Sequence, residues 1–296
     1  MDSEYQAEGP NTEEEKKVHK EIYKSVWEGV NSRSSSEIAR CVMLAAALEP
    51  LSDKGGCTTR NTNISRHLKL EYFITGGINI GQVFRELAKE CLGVYVSPRS
   101  VGIVSPPIKM YKHCFNAQRD SLKNRNGGRI NQGIIELLVP IVAAQCLYDR
   151  KCSFSVEFLL RKAVHVLKNT THYDVRELMN MKKLAFMMSC YFDRKVPEYP
   201  YTDNVYDYYC RDLQASVNPT SIAHNREFVD SFPTVKKIYD GIMSSEQRSF
   251  LGKVEEAFKH SLTMHDPAVG RGFLADCTAV AIYLCLSQNP GIQIIV

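Results

Sequence analysis

The chain has 296 residues, of which 44% are hydrophobic and 24% are charged, proportions that are ordinary for a soluble globular protein. No apolar run approaches the roughly 18 residues needed to span a bilayer, and the acidic start MDSEYQAEGPNTEEEKK lacks the basic and apolar regions of a secretory signal. The net charge of +4 and the pI near 8.4 fall short of the strongly basic balance of a dedicated nucleic-acid binder. We therefore expect a cytoplasmic protein with no membrane or nucleic-acid partner.

The ten cysteines show neither a CxxC spacing nor a spacing typical of zinc ligands. Several lie in apolar helical segments, such as Cys41 in IARCVMLAAAL and Cys285 in AVAIYLCLS. This pattern favours reduced thiols in the core of a cytosolic protein over a disulfide framework.

The predicted elements are almost all helical. Residues 1–12 are predicted to be a disordered acidic tail, and a capping box of Thr12 and Glu15 begins a helix that runs to about Asn31. Apolar periodicity predicts further helices at 37–51, 69–93, 106–122, 134–150, 155–169, 225–243, 245–262 and 273–288. Long helical periods without a dividing linker favour an all-α fold with a single helical domain over 13–296.

Three loops combine glycines, basic side chains and small polar groups directly before an apolar helix. They are Lys54-Gly55-Gly56 with Arg60, Arg125-Asn126-Gly127-Gly128-Arg129 before Asn131, and Gly270-Arg271-Gly272 before Phe273. Glycine lets backbone N–H groups approach an anion, a helix N-terminus adds a favourable dipole, and Arg or Lys supplies countercharge. None of the loops is a Walker motif or GxGxxG. A shared phosphate site and an ordinary connecting role for each loop both stay open.

Carboxylates supply candidates for metal binding and proton transfer. Asp276 lies inside the apolar run FLADCTAVAIYLCL, so it must face a polar site, find a partner or cap the helix start. Asp174 and Glu177 share a helix face, either as magnesium ligands or as a solvated surface. The histidines form no HExxH motif or paired cluster, and His224 is interpreted as a surface or capping residue.

Placed in order, these segments resemble the triphosphoribosyl-dephospho-coenzyme A synthase family, especially its shorter archaeal-type members. The family's Pro-Lys-Pro-Gly-Asn-Val-Asp/His-Arg loop is matched by DKGGCTTR at Lys54, Gly56 and Arg60. Its Gly-rich Asn-Thr-Asn-Leu-Gly loop before a leucine-rich helix is matched by GRINQG at Gly128, Asn131 and Gly133.

Two further segments carry the resemblance through the second half of the chain. REFVDSFPTV, which begins with Arg226 and Glu227, is similar to the family's Arg-Glu-aromatic-Val-x-Gly-Phe-Pro-Thr-Val. GRGFLAD matches the family's Pro-Gly-x-x-Ala-Asp at Gly272 and Asp276. The likeness spans about residues 36–288 in a consistent order.

The resemblance implies an all-helical transferase that passes the triphosphoribosyl group of ATP to a hydroxyl of dephospho-coenzyme A and releases adenine. It implies Mg²⁺ as cofactor, with ATP and a dephospho-coenzyme A-like acceptor as substrates, and leaves a carrier protein or a second copy of the chain open as partner. On this interpretation, we assign catalytic roles to Asp276, Asp174 and Glu227 and magnesium binding to Asp174 and Asp276. The nucleotide and phosphate contacts are assigned to Lys54, Gly56, Arg60, Gly128, Arg129, Asn131, Gly133, Arg226 and Gly272.

Departures from the family pattern motivate a second hypothesis. Thr59 stands where the family has Asp or His, and Arg129, Ile130 and Gln132 replace Asn, Thr and Leu in the second loop. The chain would then be a catalytically degenerate member of the same fold that binds a nucleotide or a protein partner without turnover. Arg129 either contacts a phosphate or closes the site through a salt bridge to a carboxylate such as Asp276.

Overall fold

The computed structural model describes residues 34–65, 68–94, 108–125, 128–149, 154–188 and 202–289, together with positions 17, 292 and 294. The predicted tail at 1–12 and nearly all of the helix predicted after it lie outside these residues. Within the described part of the chain every regular element is helical, and the only β-pairing consists of the isolated bridges Thr59–Thr62 and Ser65–Leu68. The prediction of an all-α fold is confirmed.

The α-helices are numbered here in chain order, and a short 3-10 helix (Glu49–Leu51) follows the first of them. They are α1 (Ser35–Leu48), α2 (Leu70–Asn79), α3 (Gly81–Gly93), α4 (Tyr111–Ser121), α5 (Gln132–Tyr148), α6 (Val156–Lys168), α7 (His172–Met187), α8 (Val205–Ala215), α9 (Pro219–Val229), α10 (Pro233–Ser244), α11 (Phe250–Met264) and α12 (Arg271–Gln288).

Short polar side chains define where many of the helices begin. Ser34, Ser155, Asn204, Asn218 and Ser249 each accept a hydrogen bond from the backbone N–H three residues further on, at the starts of α1, α6, α8, α9 and α11. These groups have no acceptor inside the helix, so a capping side chain stabilises the first turn.

Helices α5 and α12 form the centre of the core. Nearly all residues of α5, and those of α12 from Phe273 to Leu286 except Asp276, are buried, as their apolar sequences require. The two helices contact each other, α5 also packs on α3 and α6, and α12 packs on α1, α10 and α11. Both begin directly after predicted glycine loops, so their packing brings two of these loops into one region.

Two segments predicted as single helices are each divided in two. The segment 69–93 forms α2 and α3, which meet at Ile80. The segment 225–243 is broken between α9 and α10, where Ser231 and Phe232 adopt left-handed φ values of 64° and 59°. Phe232 precedes Pro233, and the ring of a proline disfavours the helical conformation at the residue before it. The apolar periodicity of the sequence continues across this break, so the sequence pattern predicted one helix instead of two.

The described cysteines form no disulfide with one another, and all of them except Cys210 are buried, in line with the prediction of reduced core thiols. In the part of the chain that the structure describes, no helix combines the length and apolar character that crossing a membrane requires.

Candidate functional site

A cavity of about 410 Å³ lies where the first turns of α5, α9 and α12 meet the loop that follows α1. Its wall includes residues from all three predicted glycine loops: Gly56 from the first, Arg129 from the second and Gly272 from the third, together with Asn131 and Gly133 directly after the second loop. The three loops therefore converge on one site, although positions 126–127 of the second loop lie outside the described residues.

Arg271 ties the first loop to the third. Its Nη1 donates a hydrogen bond to the Gly55 carbonyl oxygen at 2.6 Å. Gly56 adopts a φ of 80°, and a Cβ at this position would lie 2.5 Å from the same Nη1. Only glycine accommodates both this backbone conformation and this close approach.

Gly133 provides a similar close contact between the second loop and α12. A Cβ on Gly133 would lie 2.1 Å from Oδ2 of Asp276, so the carboxylate packs directly against the glycine backbone. The match between the family motifs at 133 and 276 thus corresponds to a physical contact at the cavity wall.

The N-termini of α5 and α12 present backbone donors at the cavity. Neither helix has a side-chain cap, and Gln132, Gly133, Gly272 and Phe273 from their first turns belong to the wall. First-turn N–H groups lack acceptors within the helix and carry the positive end of the helix dipole. This arrangement favours an anionic ligand such as a phosphate.

Arg129 is an exposed residue of the wall. It forms no ion pair with any carboxylate of the described residues, Asp276 included. The alternative in which an Arg129–Asp276 salt bridge closes the site is therefore absent from the structure, and the guanidinium is available to a ligand.

The Asp276 carboxylate lies in a strongly unfavourable environment for its charge. Burial raises its pKa well above the ordinary value, the negative charges of Glu49 and Glu136 raise it further, and the positive charge of Arg129 opposes them. No hydrogen bond or ion pair from another described residue reaches this carboxylate. A cation or a proton at this position would relieve the repulsion.

Glu136 is a site residue that the sequence analysis missed. It is fully buried on α5 and accepts hydrogen bonds from Lys182 Nζ at 2.8 Å, Tyr209 Oη at 3.0 Å and Gln132 Nε2 at 2.5 Å. Burial raises its pKa, but the charges of Lys182 and His224 and the hydrogen bonds from Lys182 and Gln132 outweigh that effect and lower the pKa to about 2. Its position inside the apolar run IIELLVPIVAA is the same signal that singled out Asp276.

His224 belongs to the cavity wall rather than to an outer surface. Its Nε2 lies 3.8 Å from Oε2 of Glu136, its side chain is 18% exposed, and the rings of Tyr209, Phe228 and Phe273 surround it. Burial lowers its pKa, although the nearby Glu136 charge opposes this, so the imidazole is neutral at pH 7. A neutral imidazole beside a buried carboxylate can accept a proton.

Four of the predicted phosphate contacts lie outside the wall: Lys54, Arg60, Gly128 and Arg226. Lys54 is buried with its Nζ 3.1 Å from Oε1 of Glu49 and 2.8 Å from Oγ of Ser52, so its charge is already paired. Arg60 is exposed. Gly128 adopts a φ of 81° directly before Arg129 and shapes the loop rather than the cavity surface.

Asp174 and Glu227 also lie outside the wall, and both are helix caps. Asp174 accepts from the Thr171 backbone N–H at 3.1 Å at the start of α7 and from the Tyr111 backbone N–H at 3.1 Å at the start of α4. Glu227 accepts from the backbone N–H groups of Thr234 and Val235 at 3.0 and 3.2 Å at the start of α10. These contacts account for both carboxylates without a catalytic role.

Arg226 lies on the other side of α9. It is exposed and lines a second cavity of about 510 Å³ together with Glu227, Lys237 and His265. Thr220, Ser221, His224 and Asn225 face the first cavity instead. The predicted pair Arg226 and Glu227 is thus separated by α9 from the site where the glycine loops converge.

The described residues include no group of three or more His, Cys, Asp or Glu side chains that could hold a metal ion. Mg²⁺ commonly binds through one or two carboxylates together with substrate phosphates and water. Asp276 fits that requirement because its carboxylate lines the cavity and forms no ion pair or hydrogen bond with a described residue. Asp174 does not fit, since backbone donors occupy both of its oxygens.

The described residues form an all-helical fold, and the cavity lies where helix N-termini converge, an arrangement that favours an anionic ligand. A family model described as CitG, ATP:dephospho-CoA triphosphoribosyl transferase, matches residues 35–263, and the chain belongs to this family. The chain is similar to a protein from Archaeoglobus fulgidus whose crystal structure carries the provisional name triphosphoribosyl-dephospho-CoA synthase. The two sequences are 14% identical, the TM-score is 0.47, and the match covers 72% of this chain and 98% of the other. No curated protein matches the sequence.

Proposed function

We propose that this protein transfers the triphosphoribosyl group of ATP to a hydroxyl of a dephospho-coenzyme A-like acceptor. Membership of the family supplies the reaction class. The observation that carries the proposal is the convergence of Gly56, Gly133 and Gly272 on one cavity together with Arg129 and Asp276. The sequence predicted these five residues from three separate segments, DKGGCTTR, GRINQG and GRGFLAD.

The triphosphate binds at the N-termini of α5 and α12. Free N–H groups of the first turns donate to phosphate oxygens, and Arg129 adds a charge-assisted hydrogen bond. Lys54 acts indirectly because its ion pair with Glu49 fixes the first loop beneath the cavity.

Asp276 is the residue that would hold Mg²⁺ beside the triphosphate. When bound, the ion would neutralise phosphate charge and the repulsion that Asp276 now experiences from Glu49 and Glu136. The close packing of Asp276 on Gly133 fixes the carboxylate next to the proposed phosphate site.

In the reaction, the bond between ribose C1′ and adenine N9 breaks and a bond from C1′ to the acceptor oxygen forms. We assign His224 to accept the proton of the attacking hydroxyl, because it is neutral and lines the cavity. The buried charge of Glu136, 3.8 Å from Nε2, stabilises the imidazolium that results. The proton then passes to the departing adenine, which leaves as a neutral molecule.

The catalytically degenerate alternative stays open on the same site. A protein that binds nucleotide through the two helix N-termini without turnover would satisfy the same geometry. A cytoplasmic location and a carrier protein or second copy of the chain as partner remain predictions from the sequence.

Release of adenine tests the proposal. The full chain is incubated with ATP, Mg²⁺ and dephospho-coenzyme A, and free adenine is quantified by chromatography. We expect release that requires the acceptor and is lost in Asp276→Ala. No release above that variant would reject the transfer activity, and an ATP-dependent rise in melting temperature without adenine would favour the non-catalytic alternative.

A further inference from the structure

The side chain of Gln132 is held in one orientation at the cavity wall. It is 7% exposed, and its Nε2 donates to Oε1 of Glu136 at 2.5 Å. Glu136 is ionised and can only accept, so the NH₂ end of the amide must face it. Lys182 and Tyr209 fix Glu136 in turn. The Gln132 carbonyl oxygen is therefore a directed acceptor.

This oxygen is buried and receives no hydrogen bond within the described residues. Its neighbour Asn131, 3% exposed and also part of the wall, has neither amide atom paired. Buried polar atoms nearly always have a partner. The missing partner of the Gln132 oxygen is a hydrogen-bond donor or a cation, which excludes phosphate oxygens because they only accept.

Resting on the proposed function, we propose that Gln132 determines specificity for the sugar of the nucleotide, with its Oε1 accepting a hydrogen bond from a ribose hydroxyl. Gln132 is the first residue of α5, whose N-terminus we assign to the triphosphate. The ribose is the group directly attached to that triphosphate, and it carries two hydroxyl donors. The contact persists through the transfer, whereas a contact to adenine would be lost as the base leaves.

Nucleotide analogues test this assignment by titration calorimetry with Mg²⁺ present. Wild type is titrated with ATP, 2′-deoxyATP, 3′-deoxyATP and ITP, which lacks the amino group of adenine. We expect at least one deoxynucleotide to bind about tenfold or more weakly than ATP, and ITP to bind within about threefold of ATP. In Gln132→Met, which keeps the length of the side chain but removes the acceptor, the deoxynucleotide penalty should fall below about threefold.

Gln82 offers a matched control on α3. It donates to Oε1 of Glu86 at 3.0 Å with the same spacing of four residues, but it is exposed and outside the cavity wall. Gln82→Met should keep the full discrimination of wild type. Circular dichroism shows whether each variant is folded. If Gln132→Met does not fold, Gln132→Leu takes its place in the titrations.

The outcomes separate this inference from the function on which it rests. Equal affinity of wild type for ATP and both deoxynucleotides, or an undiminished penalty in the Gln132 variant, would overturn the sugar contact while leaving ATP binding intact. A penalty for ITP in place of the deoxynucleotides would overturn it in favour of the adenine amino group. If wild type binds no ATP, the proposed function itself fails.

Discussion

Ion pairing determines which positively charged side chains near the cavity are available to bind a ligand. Lys54 is neutralised by Glu49, whereas Arg129 stands in the wall without an ion pair among the described residues. The sequence placed both residues in glycine loops and could not separate them. The Lys54–Glu49 pair forms across the 3-10 helix that follows α1, a geometry that the residue pattern does not specify.

Arg129→Ala should weaken ATP binding by about tenfold or more at low salt. The lost charge-assisted contact is worth roughly 1.5–3 kcal/mol, and the loss should shrink as salt screens the exposed charge. Calorimetric titration at low and high salt measures the effect. Arg60→Ala, exposed and outside the wall, is the control. Equal affinity of wild type and Arg129→Ala would show that Arg129 does not bind phosphate.

Gly272 and Gly93 form a matched pair for testing how closely the ligand approaches α12. An added Cβ meets no atom within 4 Å at either position, and only Gly272 lines the cavity. Alanine should therefore be tolerated at both, with stability unchanged or raised by up to about 1 kcal/mol. We expect Gly272→Ala alone to weaken ATP binding, by several-fold in a titration. If both variants bind ATP like wild type, the phosphates do not approach the backbone at Gly272.

The local sequence around a residue identified some of the site residues and not others. Asp276 was found because a carboxylate inside an apolar run needs a polar environment, and Glu136 carried the same signal without being recognised. His224 gave no such signal, since its position in the wall depends on how α9 packs against α5.

At the scale of helices, the two carboxylates predicted as metal ligands have different surroundings. Asp174 bonds to the N-termini of α4 and α7, while Asp276 has no hydrogen-bonding partner among the described residues. Sequence spacing placed Asp174 near Glu177 on one helix face. In the structure, however, the Asp174 carboxylate bonds to Thr171 in a capping box and to the backbone of Tyr111. The cap on its own helix was visible in the sequence as Thr171 followed by Asp174, and the contact to α4 was not.

Asp174→Asn and Asp276→Asn should have opposite effects. Asp174→Asn removes a charged cap from two helices, so we expect a loss of roughly 1–3 kcal/mol in the free energy of unfolding and unchanged ATP affinity. Asp276→Asn removes an unpaired charge, so stability should hold or rise while Mg²⁺-dependent ATP binding falls. Denaturant unfolding and calorimetry measure the two quantities. If Asp174→Asn folds but binds ATP more weakly than wild type, Asp174 contributes to ATP binding and the prediction is wrong.

Glu227 should make the stability of the whole molecule depend on pH. Burial raises the pKa of this carboxyl from 4.5 to about 7, although hydrogen bonds from Thr234 and Val235 oppose the rise. The native state therefore holds a proton between pH 4.5 and 7 that the unfolded chain releases. Protonated Glu227 therefore contributes fully to the free energy of unfolding below pH 4.5. As the pH rises to about 7 this contribution is lost, and the free energy of unfolding falls by an amount on the order of 3 kcal/mol.

Replacing Glu227 with Gln removes this titration, so the difference in unfolding free energy between wild type and Glu227→Gln should change steadily from pH 4.5 to 7. Urea unfolding at several pH values measures it. Glu157→Gln, exposed on α6, is the control. A constant difference between wild type and Glu227→Gln across this range would contradict the raised pKa.

At the scale of the whole molecule, helical periodicity predicted the all-α fold, and the order of the family motifs predicted which loops belong together. Their convergence depends on α5 and α12 packing side by side in the core, and both helices are apolar nearly all round. Such helices have no polar face from which a packing partner could be inferred. The cavity between their N-termini is therefore a property of the folded structure that local sequence patterns do not determine.

Hydrogen exchange of the full chain with and without Mg²⁺ and ATP tests most directly whether these N-termini form the nucleotide site. First-turn N–H groups have no acceptor inside their helix, so a bound phosphate should slow their exchange markedly. We expect ATP to protect residues 132–134 of α5 and 271–272 of α12, with Arg129→Ala reducing the effect. Protection confined to the second cavity around Arg226 and Lys237, or no protection at either helix start, would contradict the account.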